Sequence, residues 1–365
     1  MGFNEFFGNE RIVRALRSML RRERVPSALL FTGPRGIGKY TLARMFAQAA
    51  NCERLPDDFC GECASCLRMA PLVNPAPLIE AGLVERGESA DAAAVERMPL
   101  ILEPHPDVWL IVPDPVRLRN PVARPMIRVG QLRAVQRAAY FKPQGRRRVF
   151  ILDGADTMRW TDADVFLKIL EEPPESATLI LLAPNPDSLL QTIRSRCLQF
   201  HFAPVPPGQI EAVLKDRTDW KPAERKLAAQ LSGGSPGAAL SLDLEESARL
   251  RRQILRLLDQ AVAGEKYGDL FAATAQLCKQ QESFENVLSL FYTLLTDLLE
   301  VSHGPESSLA RNPDLHREVE VLGRKIDWEW VLRATRGLDA LEGRLRRNIG
   351  RQLGLDAFVV SLDVR

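Results

Sequence analysis

Gly33-Pro34-Arg35-Gly36-Ile37-Gly38-Lys39 stands between a short apolar run, Ala28–Phe31, and a helical pattern from Thr41 to Ala50. That placement narrows the possible folds more than anything else in the chain. It is the strand, loop and helix context in which G-x-x-x-x-G-K folds into a phosphate-binding loop. The glycines let backbone N–H groups turn toward a polyphosphate. The helix start adds a positive dipole end, and the lysine reaches the outer phosphates. Gly33, Gly36, Gly38 and Lys39 are therefore candidate nucleotide-binding residues. A chance glycine-rich turn is the bland alternative.

The rest of such a site is incomplete. The position after the lysine should carry a small hydroxyl that ligates magnesium. Tyr40 stands there, and Thr41 follows it. One helical step turns a side chain by about 100°, so the Thr41 hydroxyl is expected to miss the metal position. The second nucleotide element should be an apolar strand ending in an acid. Val149-Phe150-Ile151-Leu152-Asp153 fits, and Asp153 is a candidate magnesium residue. Hydrolytic proteins of this design usually continue with Glu, which polarises the attacking water. Here the next residue is Gly154, and Asp156 lies too far along to replace it. Losing hydroxyl and acid together removes two contributions to phosphoryl-transfer catalysis.

Further short apolar runs follow at Val108–Val112, Val149–Leu152 and Leu179–Ala183, with helical patterns at 9–22, 129–139 and 161–171. Strands alternating with helices predict a parallel sheet covered by helices. Residues 69–104 carry five prolines among small and charged residues, and predict an insertion or mobile loop with one short helix near Ala90–Arg97. Ala203–Gly208 reads as a stiff linker. A small helical unit is expected over 209–242, with a turn at Ser232–Pro236. Long amphipathic patterns follow at 247–263, 284–301 and 327–346. Phe358–Leu362 suits either a strand or a helix end. The net charge of +2 argues against a protein that holds nucleic acid by bulk positive charge. Arg146-Arg147-Arg148 is either a local basic surface or a turn leading into a strand. No apolar run approaches bilayer length and the first residues lack a signal pattern, so a cytoplasmic location is expected.

Four of the six cysteines, Cys52, Cys60, Cys63 and Cys66, fall within a short stretch. Without an export signal, such clustering favours metal over disulfides. Two overlapping C-x2-C steps make a tight knuckle, and Cys52 can close a tetrahedron from the end of the preceding helix. Four thiolates with no open position describe structural zinc. An iron–sulfur cluster and unligated thiols are the alternatives.

The order of these pieces resembles the bacterial clamp-loader subunits of the gamma/tau and delta-prime kind. The resemblance rests on the four-cysteine insertion after the phosphate-loop helix, Phe7-Gly8-Asn9-Glu10, Ser27–Phe31 and His105-Pro106-Asp107. It continues through Ile127-Arg128-Val129 with Leu132-Arg133, Phe166-Leu167-Lys168-Ile169-Leu170-Glu171-Glu172-Pro173-Pro174, and Asn185-Pro186 with Leu189-Leu190. Thr192-Ile193-Arg194-Ser195-Arg196-Cys197, Gly234-Ser235-Pro236-Gly237 and the segment from Arg347-Asn348 to Leu362 complete it. It implies an AAA+ P-loop domain over 1–205, with a zinc module at 52–66 and an insertion at 69–104. A small helical lid over 206–243 and an all-α collar over 244–365 would follow. Arg196 would act in trans, its guanidinium reaching a neighbouring subunit's ATP. Ala238 stands where hydrolytic members usually carry an arginine. Finger kept and home chemistry lost is the delta-prime pattern. The resemblance implies structural zinc and leaves ATP and magnesium binding open. The implied partners are gamma/tau and delta subunits in a hetero-oligomeric ring, with the sliding clamp and primed DNA reached through that complex. The implied function is assistance in clamp loading within the DNA polymerase III holoenzyme, the chain itself being neither polymerase nor active ATPase. A gamma/tau-type ATPase and a zinc-dependent DNA-binding module are the rival readings.

Other features have plainer explanations. Glu171 and Glu172 are adjacent at a helix end and point apart, so they suit a fold-determining role with Pro173 and Pro174 stopping the helix. His105, His201, His303 and His316 form no metal spacing. Trp328 and Trp330 read as packing residues.

Overall fold

Ala28 to Thr32 form strand β1, buried along its whole length. A strand without a polar face must be covered on both sides, the signature of a parallel sheet inside a helical wrap. The computed structural model describes residues 2–86, 92–114, 125–158, 163–264, 266–279, 284–303, 311–345 and 350–362. In chain order, the first elements are α1 (Glu10–Arg21), β1, α2 (Lys39–Ala50), α3 (Ala64–Arg68), α4 (Ala76–Arg86) and α5 (Ala92–Arg97). Next come β2 (Leu102–His105), β3 (Val108–Ile111), α6 (Val129–Ala139), β4 (Arg148–Asp153), α7 (Ala163–Glu171), β5 (Ala177–Ala183), α8 (Gln191–Arg194) and β6 (Leu198–His201).

The sheet order is β2-β3-β4-β5-β1-β6. All neighbours are parallel except β2 and β3. Leu30 lies opposite Leu181 and Ile151 opposite Ile180, so the apolar strands share one register. β5 therefore separates β1 from β4. The loops after these two strands open at the same carboxyl edge of the sheet, where ligands of parallel α/β folds bind.

Residues 69–104 differ from the expectation of a loop with one short helix. Two helices, α4 and α5, occupy the described part, and they dock on the sheet domain. Arg86 forms a buried ion pair with Asp114 at 2.6 Å. Glu96 accepts from the Gly130 N–H at 2.7 Å, and Gln131 donates to the carbonyls of Leu100 and Val112. Pro71, Pro75, Pro77 and Pro99 sit at helix starts and in the links between elements, so they delimit short helices instead of preventing them, and Pro104 lies in the edge strand β2.

The contacts divide the chain into two compact units, Met1–Gln209 with Ser235–Ala238, and Ile210–Gly234 with Ala239–Arg365. Beyond the sheet come α9 (Pro207–Arg217), α10 (Pro222–Leu231), α11 (Pro236–Leu240), α12 (Leu244–Ala263), α13 (Tyr267–Lys279), α14 (Phe284–His303), α15 (His316–Gly323), α16 (Trp328–Leu345) and α17 (Arg351–Val360). The ambiguous Phe358–Leu362 thus begins inside a helix. Asp243 caps α12 by accepting from the Glu246 N–H, and Gly264 ends it in the left-handed region. The apolar interior of this second unit also encloses the Arg251 guanidinium. Arg251 is fully buried and makes a two-point pair with Asp314 at 2.6 and 2.9 Å. Trp330 is buried and donates to the Leu362 carbonyl, a packing role, whereas Trp328 is exposed. Among the described residues, no helix is long and apolar enough to cross a membrane.

Candidate functional site

The glycine-rich loop leaves β1 at Thr32 and enters α2 at Lys39, as its sequence context required. Gly33, Gly36 and Gly38 all have positive φ, and Gly38 caps α2. The loop's carbonyls already have partners. Lys39 Nζ donates to Gly33 and Pro34 at 2.6 and 2.8 Å. Ser235 donates its hydroxyl to the Arg35 carbonyl, and the Gly237 N–H donates to Gly36. A Cβ on Gly36 would stand 2.9 Å from the Ala238 nitrogen, so only glycine permits the 235–238 segment to lie this close. Burial lowers the Lys39 ammonium to about 8, against the opposing pull of the Asp153 carboxylate. Burial in turn raises the Asp153 carboxyl, and Lys39 holds it down. Lys39 and Asp153 are thus near enough for each charge to act on the other.

Tyr40 has a structural task. Its hydroxyl donates to the Leu72 carbonyl at 2.7 Å, and burial pushes its phenol up. The phenol thus ties the first turn of α2 to the segment that leaves the cysteine lobe. Thr41 is exposed on the helix surface.

Gly154 follows Asp153 with φ at +78°, in the left-handed region, and a Cβ there would meet Pro113 Cγ at 2.9 Å. A non-glycine residue in this conformation costs roughly 1–2 kcal/mol from the backbone alone, before the collision with the proline ring. Gly154→Glu is therefore expected to lower the thermal midpoint by several degrees without creating ATP turnover. Calorimetry and a phosphate-release assay on the same preparation would check both.

The four cysteines converge. Cys52 follows α2 directly, Cys60 and Gly61 make the knuckle, Cys63 caps α3 and Cys66 lies within it. Their sulfurs all lie within 4.8 Å of one another. Cys52 and Cys60 Sγ are 3.7 Å apart, far beyond a disulfide bond. Zinc with four sulfurs at about 2.3 Å has tetrahedral edges of about 3.8 Å, so the donor set and spacing fit that ion. The N–H groups of Glu62 and Cys63 lower the Cys60 thiol to about 6, while burial pushes the Cys66 thiol up.

The guanidinium groups of Arg146-Arg147-Arg148 are spent on backbone and side-chain acceptors of the protein itself, although Arg146 is exposed. Arg146 donates to the carbonyls of Cys52 and Leu55. Arg147 donates to Ala177 and Thr178, and Arg148 to Ala138. Asn51 exchanges hydrogen bonds with the Arg147 backbone. The run therefore fastens the cysteine lobe to β4 and β5. His105 is buried; it accepts the Asp107 N–H at Nδ1, and its Nε2 lies 3.1 Å from Ser65 Oγ. Asp107 accepts the N–H groups of Gln144 and Gly145. His105-Pro106-Asp107 is thus a clamp between the cysteine lobe, the sheet and the turn before β4.

Arg196 lies between α8 and the edge strand β6, with its side chain about a third exposed. Nη1 donates to the Thr192 carbonyl at 2.8 Å and Nη2 to Glu171 at 2.7 Å. A guanidinium has five N–H donors, so three have no partner among the described residues. Sequence reasoning missed the roles of Glu171, Ser235 and Leu72. Glu171 carried a faint signal, since an acid at a helix C-terminus opposes the dipole. The Leu72 carbonyl carried none.

A family model described as DNA polymerase III, delta subunit matches residues 8–206. The DNA polymerase III subunit gamma/tau of Mycobacterium tuberculosis (strain ATCC 25618 / H37Rv) is 31% identical over 268 residues, covering 72% of this chain and 37% of that protein. The DNA polymerase III subunit delta' of Bacillus subtilis (strain 168) is 24% identical over 359 residues, covering 96% of this chain and 95% of that protein. The chain thus spans little more than a third of the gamma/tau relatives but nearly the whole of the delta' relative. Among solved structures, a gamma subunit-related protein from Thermotoga maritima MSB8 aligns over 95% of this chain and 97% of its own. Its identity is 16% and its TM-score 0.37, below the level at which a shared overall arrangement would follow.

Proposed function

Because the chain belongs to the DNA polymerase III, delta subunit family, we propose that it is a delta-prime-type clamp-loader subunit that does not hydrolyse ATP itself. It assembles with gamma/tau and delta subunits. It supplies Arg196 to a neighbour's ATP while the complex places the sliding clamp on primed DNA. The planar, permanently charged guanidinium suits a terminal phosphate and its transition state, and its open N–H groups at a sheet edge support the assignment. The cysteine lobe holds zinc, which when bound supplies a cross-link without a catalytic vacancy. An AAA+ base, a helical lid over 206–243 and a collar over 244–365 remain the expected division of labour.

One observation carries the reading of the home site. The position after Asp153 is a left-handed glycine pressed against Pro113, so an acid cannot simply stand there. A single lost side chain would be a substitution; a backbone that excludes the lost side chain is a committed structure. The purified chain alone is expected to release phosphate from ATP at background rate, and a mixture with gamma/tau and delta partners to turn over ATP. Fast hydrolysis by the isolated chain would refute this. It would favour the second reading, a gamma/tau-type ATPase, which the higher identity to gamma/tau supports.

A further inference from the structure

We propose that Glu171 is a positioning residue for Arg196, holding the guanidinium so that its open edge faces outward. The inference rests on the reading of Arg196 given above and deepens it. Glu171 ends α7, where a carboxylate opposes the negative end of the helix dipole. Local helix stability therefore does not explain an acid there. What it meets is Arg196, at 2.7 Å, and both side chains are substantially exposed, at 35% for Arg196 and 50% for Glu171. Exposed pairs of this kind contribute little to folding, so stability does not explain the contact either.

Orientation does. A free arginine at a surface samples many rotamers, and ordering it at the moment of use is costly. Here one nitrogen is held by the Thr192 carbonyl and the other by Glu171, so the plane of the group is fixed from two sides. The carboxylate itself is on a firm mount. The Glu172 N–H closes the last turn of α7 on the Lys168 carbonyl, and the Tyr140 hydroxyl donates to the Glu172 carbonyl. Pro173 and Pro174 follow and end the helix there. The segment resembling L-x-K-x-L-E-E-P-P thus ends in a bracket for the arginine, a role that its sequence concealed.

The test is a double-mutant cycle in the complex reconstituted with gamma/tau and delta partners. Glu171→Ala is expected to slow single-turnover hydrolysis at the ATP site facing this chain about ten-fold, the scale of a misplaced catalytic group, with the apparent affinity for ATP changed less than about two-fold. Glu171→Gln, which keeps an acceptor oxygen, should recover part of the loss. The double change Glu171→Ala with Arg196→Ala should be no slower than Arg196→Ala alone, because one acts through the other. Size-exclusion chromatography should show the same amount of complex for every variant. Full turnover in Glu171→Ala beside a slow Arg196→Ala would overturn the positioning role and leave the finger reading standing. So would faster turnover, which would make the carboxylate a competitor of the phosphate, or additive losses in the double variant. Unchanged turnover in Arg196→Ala would remove the finger reading and this proposal with it.

Discussion

Arg196→Ala is expected to slow hydrolysis at the ATP site facing this chain by about 1,000-fold, the lower end of what an arginine supplied across an interface contributes. The size follows from where the charge acts. At the transferring phosphoryl group, negative charge develops in a site closed to water, and a pre-oriented cation there is worth far more than in solvent. In steady state, turnover of the whole complex falls by at least the share of that one site, and by more if the sites fire in sequence. A single-turnover measurement separates the two. Folding and assembly should not change, because Arg196 is partly exposed and its ion pair with Glu171 is a surface one, worth less than about 1 kcal/mol. Arg196→Lys should rescue poorly, since a point charge lacks the planar fork. Equal turnover in wild type and Arg196→Ala would refute the assignment; a parallel loss of complex would make the residue structural.

Cys63→Ser is expected to abolish metal binding and to destabilise the whole first unit. Elemental analysis should fall from about one zinc per chain to none. Structural zinc contributes roughly 10–16 kcal/mol in isolated finger peptides. Even a fraction of that rivals the roughly 5–15 kcal/mol by which whole proteins are stable. The lobe does not unfold alone. Cys52 and Leu55 carbonyls receive Arg146, Ser65 meets His105, and Leu72 receives Tyr40. A thermal midpoint lower by more than about 10 °C, or insoluble protein, is the expected result. Acid should release the ion from the wild type, since protonated thiols do not ligate. A brown protein with visible absorption would point to iron–sulfur, and an unchanged midpoint with no metal in the wild type to unligated thiols.

The central strands were readable because each is buried on both faces and appears as an unbroken apolar run. Val149–Leu152 and Leu179–Ala183 lie inside β4 and β5. β6 was not readable, because as an edge strand it is exposed and carries no apolar run. β2 contains Pro104 and pairs antiparallel at the other edge. Of the helices in 69–104, α4 was hidden by the prolines at its start, whereas α5 falls where a short helix was expected near Ala90–Arg97. Spacing alone picked out the four cysteines that converge, because their chemistry depends on residues close in sequence. The Tyr40–Leu72 and Glu171–Arg196 contacts join residues 32 and 25 positions apart, so their partners emerge only when the chain folds. The sequence showed Tyr40 only as the residue standing in place of a small hydroxyl; its role as a strut to Leu72 was not legible.

The strut also bears on ancestry. A descendant of this chain that regained a small hydroxyl at position 40 would cut the tie to Leu72 and loosen the lobe behind it. One that regained the acid after Asp153 would force a glycine-only backbone against Pro113. On the reading proposed above, each change alone is expected to weaken the fold before the other could confer turnover, so such a pocket would be harder to restore than to lose.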